Sequence, residues 1–153
     1  IQLESERTAA LDKALHFISA AQKTEKQIRD YLSGKGYLPA VTDYVLGKMA
    51  EYGFLDDGLY AQRYAESAVK RKGARLIRAE LRAKGIAEEH IGAALEDLEG
   101  EEETAGRLLG KYMRGKTADR QTLSKAFRYL IGKGFDYETA KAALSAFGET
   151  EED

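Results

Sequence analysis

The sequence predicts an all-α protein made of three tandem three-helix repeats, and three observations carry that expectation. Gly36, Gly85 and Gly134 lie 49 residues apart, each after a lysine and before a large apolar residue. A fixed period of that size marks a tandem repeat. Apolar positions coincide under the same shift: Leu32, Leu81 and Leu130; Leu46, Leu95 and Leu144; Leu11, Tyr60 and Leu109; Leu15, Tyr64 and Met113. The last two sets lie four residues apart, the spacing of one helical face. Finally, 153 residues contain a single proline and few β-branched runs, and Ala, Leu, Lys and Glu are abundant, which favours helix throughout.

Each element has its own signals. The first helix of each unit presents the Leu11/Leu15, Tyr60/Tyr64 or Leu109/Met113 face. Thr24, Gly73 and Thr122 align just before the second helix, where a cap belongs, and Thr24 with Gln27 spells a capping box. The second helix runs to the Lys-Gly pair. Glycine there supplies the left-handed turn, and Tyr37, Ile86 or Phe135 folds back onto Leu32, Leu81 or Leu130. Pro39 suits the first turn of a third helix, and Asp136 caps the equivalent one in the last unit. Gly53 ends the first unit's third helix, and Asp56 caps the next helix. Leu55 and Tyr60 form its hydrophobic staple, and Asp57 complements its dipole. Glu99-Gly100-Glu101-Glu102-Glu103 marks the second boundary. The repeats therefore fall at 1–55, 56–100 and 101–153, the last ending in an acidic, frayed tail after Gly148.

Composition excludes several classes. Without cysteine there is no disulfide, thiolate nucleophile or thiolate metal site. No apolar run reaches the roughly 20 residues of a membrane span, and no signal-peptide pattern opens the chain. The first residue is Ile1 rather than methionine, as in a fragment or a processed chain. Net charge is −2, yet charge is segregated. Residues 63–84 carry eight basic and two acidic groups, and 85–105 carry none against eight. Residues 106–133 carry eight against one, and 134–153 one against six. The surface is expected to be dipolar.

No constellation carries catalysis. His16 and His90 lie in different units without ligand-like neighbours in sequence, so surface or core-edge roles suit them. Asp56-Asp57 sits at a helix start, where capping explains both. The Lys-Gly pairs lack the spacing of a phosphate loop. Tyr60 and Tyr64 occupy aligned apolar positions and read as packing. The expectation is a non-enzyme without cofactor or metal. The basic clusters remain. Arg71, Arg75, Arg78 and Arg82 recur at spacings of four, three and four, enlarged by Lys70, Lys72 and Lys84. In the third unit Lys111, Arg114, Lys116 and Arg120 gather at the first inter-helix turn. A solvated helix face accounts for most such stripes, but this local excess also fits a surface for phosphate or an acidic protein. Three-helix units invite comparison with helix-turn-helix DNA readers. The third helix of the middle unit is acidic, however, and that of the last unit has one lysine and no arginine. Base readout is therefore not expected, while a phosphate-backbone contact from the basic stripe stays open.

Gly53-Phe54-Leu55-Asp56-Asp57 followed by Tyr60-Ala61 and Tyr64 resembles the first-to-second repeat junction of RecX regulatory proteins. The run from Lys72 to Ile86 is similar to that family's best-preserved stretch. The resemblance extends from about Ala10 to Phe147; Gly58-Leu59 departs from it, standing where polar residues are expected. It implies an elongated, curved array that binds the RecA–single-stranded DNA filament and inhibits or disassembles it. Such a protein is a cytoplasmic monomer of recombination, DNA repair and the SOS response, and the ATPase belongs to RecA. On that basis Lys70, Arg71, Lys72, Arg75, Arg78 and Arg82 form the filament- or DNA-facing patch, extended by Arg114 and Lys116. The alternatives are a stand-alone DNA binder acting through the phosphate backbone and a generic helical-repeat scaffold.

Overall fold

In the computed structural model the backbone is described from Gln2 to Glu152 and the side chains from Gln2 to Gly148. The side chains of the acidic tail after Gly148 lie outside the described residues. The described residues form nine helices and no strand: α1 Gln2–Ser19, α2 Glu25–Gly34, α3 Pro39–Glu51, α4 Asp57–Ala68, α5 Ala74–Ala83, α6 Glu88–Glu96, α7 Glu101–Met113, α8 Arg120–Gly132 and α9 Tyr137–Glu152. Two compact units result, one of residues 1–61 with 81–91, the other of 62–80 with 92–153. The divide falls inside α4, α5 and α6.

In the first unit α1, α2 and α3 pack mutually around Ala10, Ala14, Ile28, Leu32, Val41, Val45, Leu46 and Met49. In the second, α7, α8 and α9 do so around Ala105, Leu109, Met113, Ala126, Leu130, Phe135 and Ala140. Aligned positions therefore perform the same job in both: Leu32 and Leu130 are fully buried.

The three periodic glycines are helix stops. Gly36, Gly85 and Gly134 have φ of 93°, 85° and 98°. Behind each, the next amide donates to the carbonyl five residues back: Tyr37 to Leu32 at 3.2 Å, Ile86 to Leu81 at 3.1 Å and Phe135 to Leu130 at 3.2 Å. This is the Schellman ending, which satisfies carbonyls the helix cannot reach. Gly53 uses it too, with Phe54 donating to Met49 at 2.8 Å.

Helix starts follow the caps with one correction. Thr24 closes a full capping box with Gln27, and Pro39 opens α3. Asp56 accepts from Leu59 N–H at 3.0 Å, and Asp136 from Thr139 N–H at 2.8 Å. Thr122, expected as the cap of α8, lies inside that helix. Asp119 caps it instead, accepting from Thr122 N–H at 2.8 Å. The carboxylate three residues upstream satisfies the first-turn amides earlier than Thr122 can, so α8 starts sooner than its counterparts.

Four glycines, Gly58, Gly73, Gly85 and Gly134, make room for neighbours. A Cβ on Gly58, at the position that departs from the family pattern, would stand 3.0 Å from the His90 ring. One on Gly73 would stand 2.5 Å from the Gly134 backbone.

Candidate functional site

The N-termini of the second helices of the first two repeats, α2 and α5, are satisfied from outside their own repeat. In the first unit the Thr24 hydroxyl donates to the Lys84 carbonyl at 2.6 Å, and the Glu25 amide donates to Asp57 Oδ1 at 3.0 Å. Burial raises the Asp57 carboxyl above its ordinary value, against the lowering effect of that amide. In the second unit Gly73 N–H donates to Lys133 O at 2.8 Å, Arg75 N–H to Gly134 O at 2.9 Å, and Ala74 N–H to Glu101 Oε1 at 2.9 Å. Thr24 to Lys84 and Gly73 to Lys133 join equivalent positions one period apart, by a hydroxyl in the first and a backbone amide in the second. The first turn of α5, which carries the basic stripe, is thereby anchored without help from the arginine side chains.

The cations of that stripe have different surroundings. Lys70, Arg71, Arg75 and Arg82 are exposed, while Lys72 and Arg78 are half-buried. Lys72 Nζ lies between both oxygens of Glu80 at 2.9 and 2.8 Å. That pair is 19% and 29% exposed, so Lys72 is largely committed to holding α5 against the preceding turn. Arg82 pairs with Glu88, and that hydrogen bond raises the guanidinium's pKa further. Arg71 Nη1 donates to the Ser67 carbonyl at 3.3 Å, continuing past the end of α4. The Lys70 carbonyl accepts from Arg107 of α7, and Lys70 itself is exposed. The Arg75 charge helps lower the Asp136 carboxyl, after the larger effect of the Thr139 hydrogen bonds.

Arg114 and Lys116 follow the end of α7, both exposed. Lys116 Nζ donates to the Tyr112 carbonyl at 2.6 Å and stands 3.9 Å above the Tyr112 ring centroid. The tyrosine rings beside these cations were not singled out by sequence. Tyr129 aligns with Tyr31 at two periods, but Tyr112 aligns with Arg63 and Ala14, so the repeat pattern gave no signal for their pairing. Of the two histidines, His16 is exposed and His90 half-buried. Among the described residues no cluster of His, Asp or Glu could hold a metal ion. No helix of the described residues is long and apolar enough to cross a membrane.

Comparison with known proteins agrees with this architecture. Residues 10–49 match the model of the RecX first three-helix domain, and residues 56–95 that of the second. The chain is 36% identical over 141 residues to the regulatory protein RecX of Listeria monocytogenes, covering 88% of this chain and 52% of that protein. It is 31% identical over 147 residues to that of Clostridium perfringens, covering 92% and 69%. It thus spans about half the length of the Listeria relatives. A crystal structure of RecX from Lactobacillus salivarius shares the fold, with a TM-score of 0.87, 21% identity, and coverage of 94% of this chain and 97% of that one. A second, of a regulatory protein RecX, gives 0.84 at 26% identity, covering 92% and 73%.

Proposed function

The chain belongs to the RecX family, and from that premise we propose that it is a non-catalytic regulator that binds the RecA–single-stranded DNA filament and inhibits its recombinase and ATPase activity. The observation that carries this is the exposed cation row Lys70, Arg71 and Arg75, set on a helix start that backbone contacts hold independently. A row on a fixed frame can meet phosphates or acidic protein groups without first being ordered. Arg78, Arg82, Arg114 and Lys116 extend it, and Lys72 supports it through Glu80.

On this proposal the functional repeats are 1–55, 56–100 and 101–153, and the protein acts in the cytoplasm as a monomer. RecA supplies the ATPase. The segregated charge favours a partner with a charge pattern of its own, since complementary fields speed encounter and fix register. The experiment is RecA-driven ATP hydrolysis on single-stranded DNA, titrated with this protein. Falling hydrolysis at protein levels too low to coat the DNA supports the proposal; a rate that never changes contradicts it.

A further inference from the structure

Gly106 stands inside α7, where no left-handed backbone requires a glycine. Among the described residues no atom stands within 4 Å of where its Cβ would be. A helix-interior glycine costs about 1 kcal/mol relative to alanine, so neither backbone nor packing explains this one. It lines a groove of about 410 Å³ between α7 and α9, together with Ala142, Ala143, Ala146 and Phe147. Glu102 and Thr139 line both this groove and an adjoining hollow of about 340 Å³, formed with the turn at residues 98–103.

Two periods earlier, the first repeat holds Thr8, Tyr44 and Lys48 where Gly106, Ala142 and Ala146 stand. Tyr44 packs against that unit's core. The Arg7 guanidinium lies 4.4 Å from its ring centroid, and Lys48 Nζ 5.9 Å. One unit thus covers this pair of helices with its own side chains, and the other leaves a groove. The groove's margin is acidic. Glu99, Glu102 and Glu103 are exposed, and among the described residues none of them is in an ion pair. Among the described residues no lysine or arginine lines either hollow. The α7 dipole accounts for carboxylates in its first turn, but not for the small residues beside them.

We propose that the α7–α9 groove docks a basic amphipathic helix of a protein partner. The partner's apolar face lies on Gly106, Ala142, Ala143 and Ala146, whose small size lets its backbone come close. Its lysines and arginines meet Glu99, Glu102 and Glu103 at the margin. Charge selects the occupant: an acidic helix is repelled, and a neutral one gains nothing from the carboxylates. The cation row at residues 70–75 takes phosphates or acidic groups. This site asks for the opposite chemistry and so goes beyond the filament reading.

The test is fluorescence anisotropy of a labelled helical peptide, alanine and leucine on one face and lysine on the other, titrated with the protein. Wild type should bind it. Ala142→Tyr, which restores the first repeat's side chain, should weaken binding about tenfold, the scale of one blocked anchor. Glu102→Gln with Glu103→Gln should flatten the salt dependence. The proposal falls if wild type does not bind, or if a folded Ala142→Tyr binds unchanged. It also falls if a scrambled peptide of the same composition binds as tightly, since charge alone then suffices. Sedimentation that shows a dimer dispersed by Ala142→Tyr overturns it too, by making a second copy the occupant. Should Ala142→Tyr fail to fold by circular dichroism, Gly106→Gln decides: it fills open space with a good helix former, and unchanged binding overturns the proposal. None of these residues belongs to the cation row assigned to the filament, so failure here with RecA inhibition intact removes this proposal alone.

Discussion

The Thr24 hydroxyl donates to the Lys84 carbonyl across 60 residues of sequence, at 2.6 Å. One period later Gly73 gives its amide to Lys133, again 60 residues on, at 2.8 Å. The glycine that stops one second helix thus presents the carbonyls on which the preceding repeat's second helix begins. Stop and start are parts of a single joint.

Removing the Thr24 hydroxyl should therefore cost two bonds, one to Gln27 N–H and one to Lys84 O. Thr24→Ala is expected to lose about 2 kcal/mol, the upper end for a cap, because the site is buried. Thr24→Ser should recover most of it. Urea unfolding of the three proteins side by side reads the difference, and equal midpoints for Ala and wild type would refute the joint.

The glycines of the joint should rank by what surrounds them. Gly36 has φ of 93° and open space around its would-be Cβ. Gly36→Ala should cost only the left-handed penalty, about 1 kcal/mol. At Gly134 the same penalty adds to a collision with the Leu76 backbone nitrogen at 2.7 Å. Gly134→Ala should cost at least about 2 kcal/mol, since overpacking displaces main chain. Thermal melting of the pair checks the order; Gly36→Ala as damaging as Gly134→Ala would contradict it.

Lys72 and Glu80 should behave differently from the surface pairs. Their side chains are 19% and 29% exposed, against 54% and 62% for Lys26 and Asp30. A double-mutant cycle should give a coupling of about 1 kcal/mol for the first pair and close to zero for the second. The opposite order would return Lys72 to the exposed row.

Acid should loosen the caps of the last repeat. Hydrogen bonds from Thr122 hold the Asp119 carboxyl below its ordinary value, and those from Thr139 do the same for Asp136. A carboxylate depressed in the folded state stabilises above its unfolded pKa, and that contribution disappears as pH falls through the folded value. Stability should thus decline below about pH 4, and Asp119→Asn with Asp136→Asn should flatten the decline. Asp57, raised by burial, works the other way, favouring the folded state as it takes up its proton. Urea midpoints from pH 5 to pH 2 that decline equally in the double variant and wild type would contradict the assignment.

How much of this was legible follows from where the information lies. The glycine stops, the Thr24 box, Pro39, Asp56 and Asp136 are local signals, decided within one helical turn, and sequence shows them directly. Thr122 misled because alignment placed it at a cap while Asp119, three residues earlier, reached the amides first. The joints could not be read. Nothing local tells that Gly73 lacks a side chain because the Gly134 backbone lies against it. The charge stripe was visible as a count of cations, but the count cannot separate Lys72, held by Glu80, from Arg75. Tyr112 lies off the period that Tyr129 shares with Tyr31, and only the packing of α7 on α8 reveals their stack.

The most direct measurement is RecA ATPase on single-stranded DNA with a variant carrying Lys70→Glu, Arg71→Glu and Arg75→Glu. These three side chains are exposed and outside any ion pair among the described residues, and Glu at the first turn of α5 favours the helix dipole. Melting should therefore match wild type while inhibition weakens at least about tenfold, the scale expected when interface charges are reversed. Full inhibition by a folded triple variant would contradict the central claim that this row meets the filament.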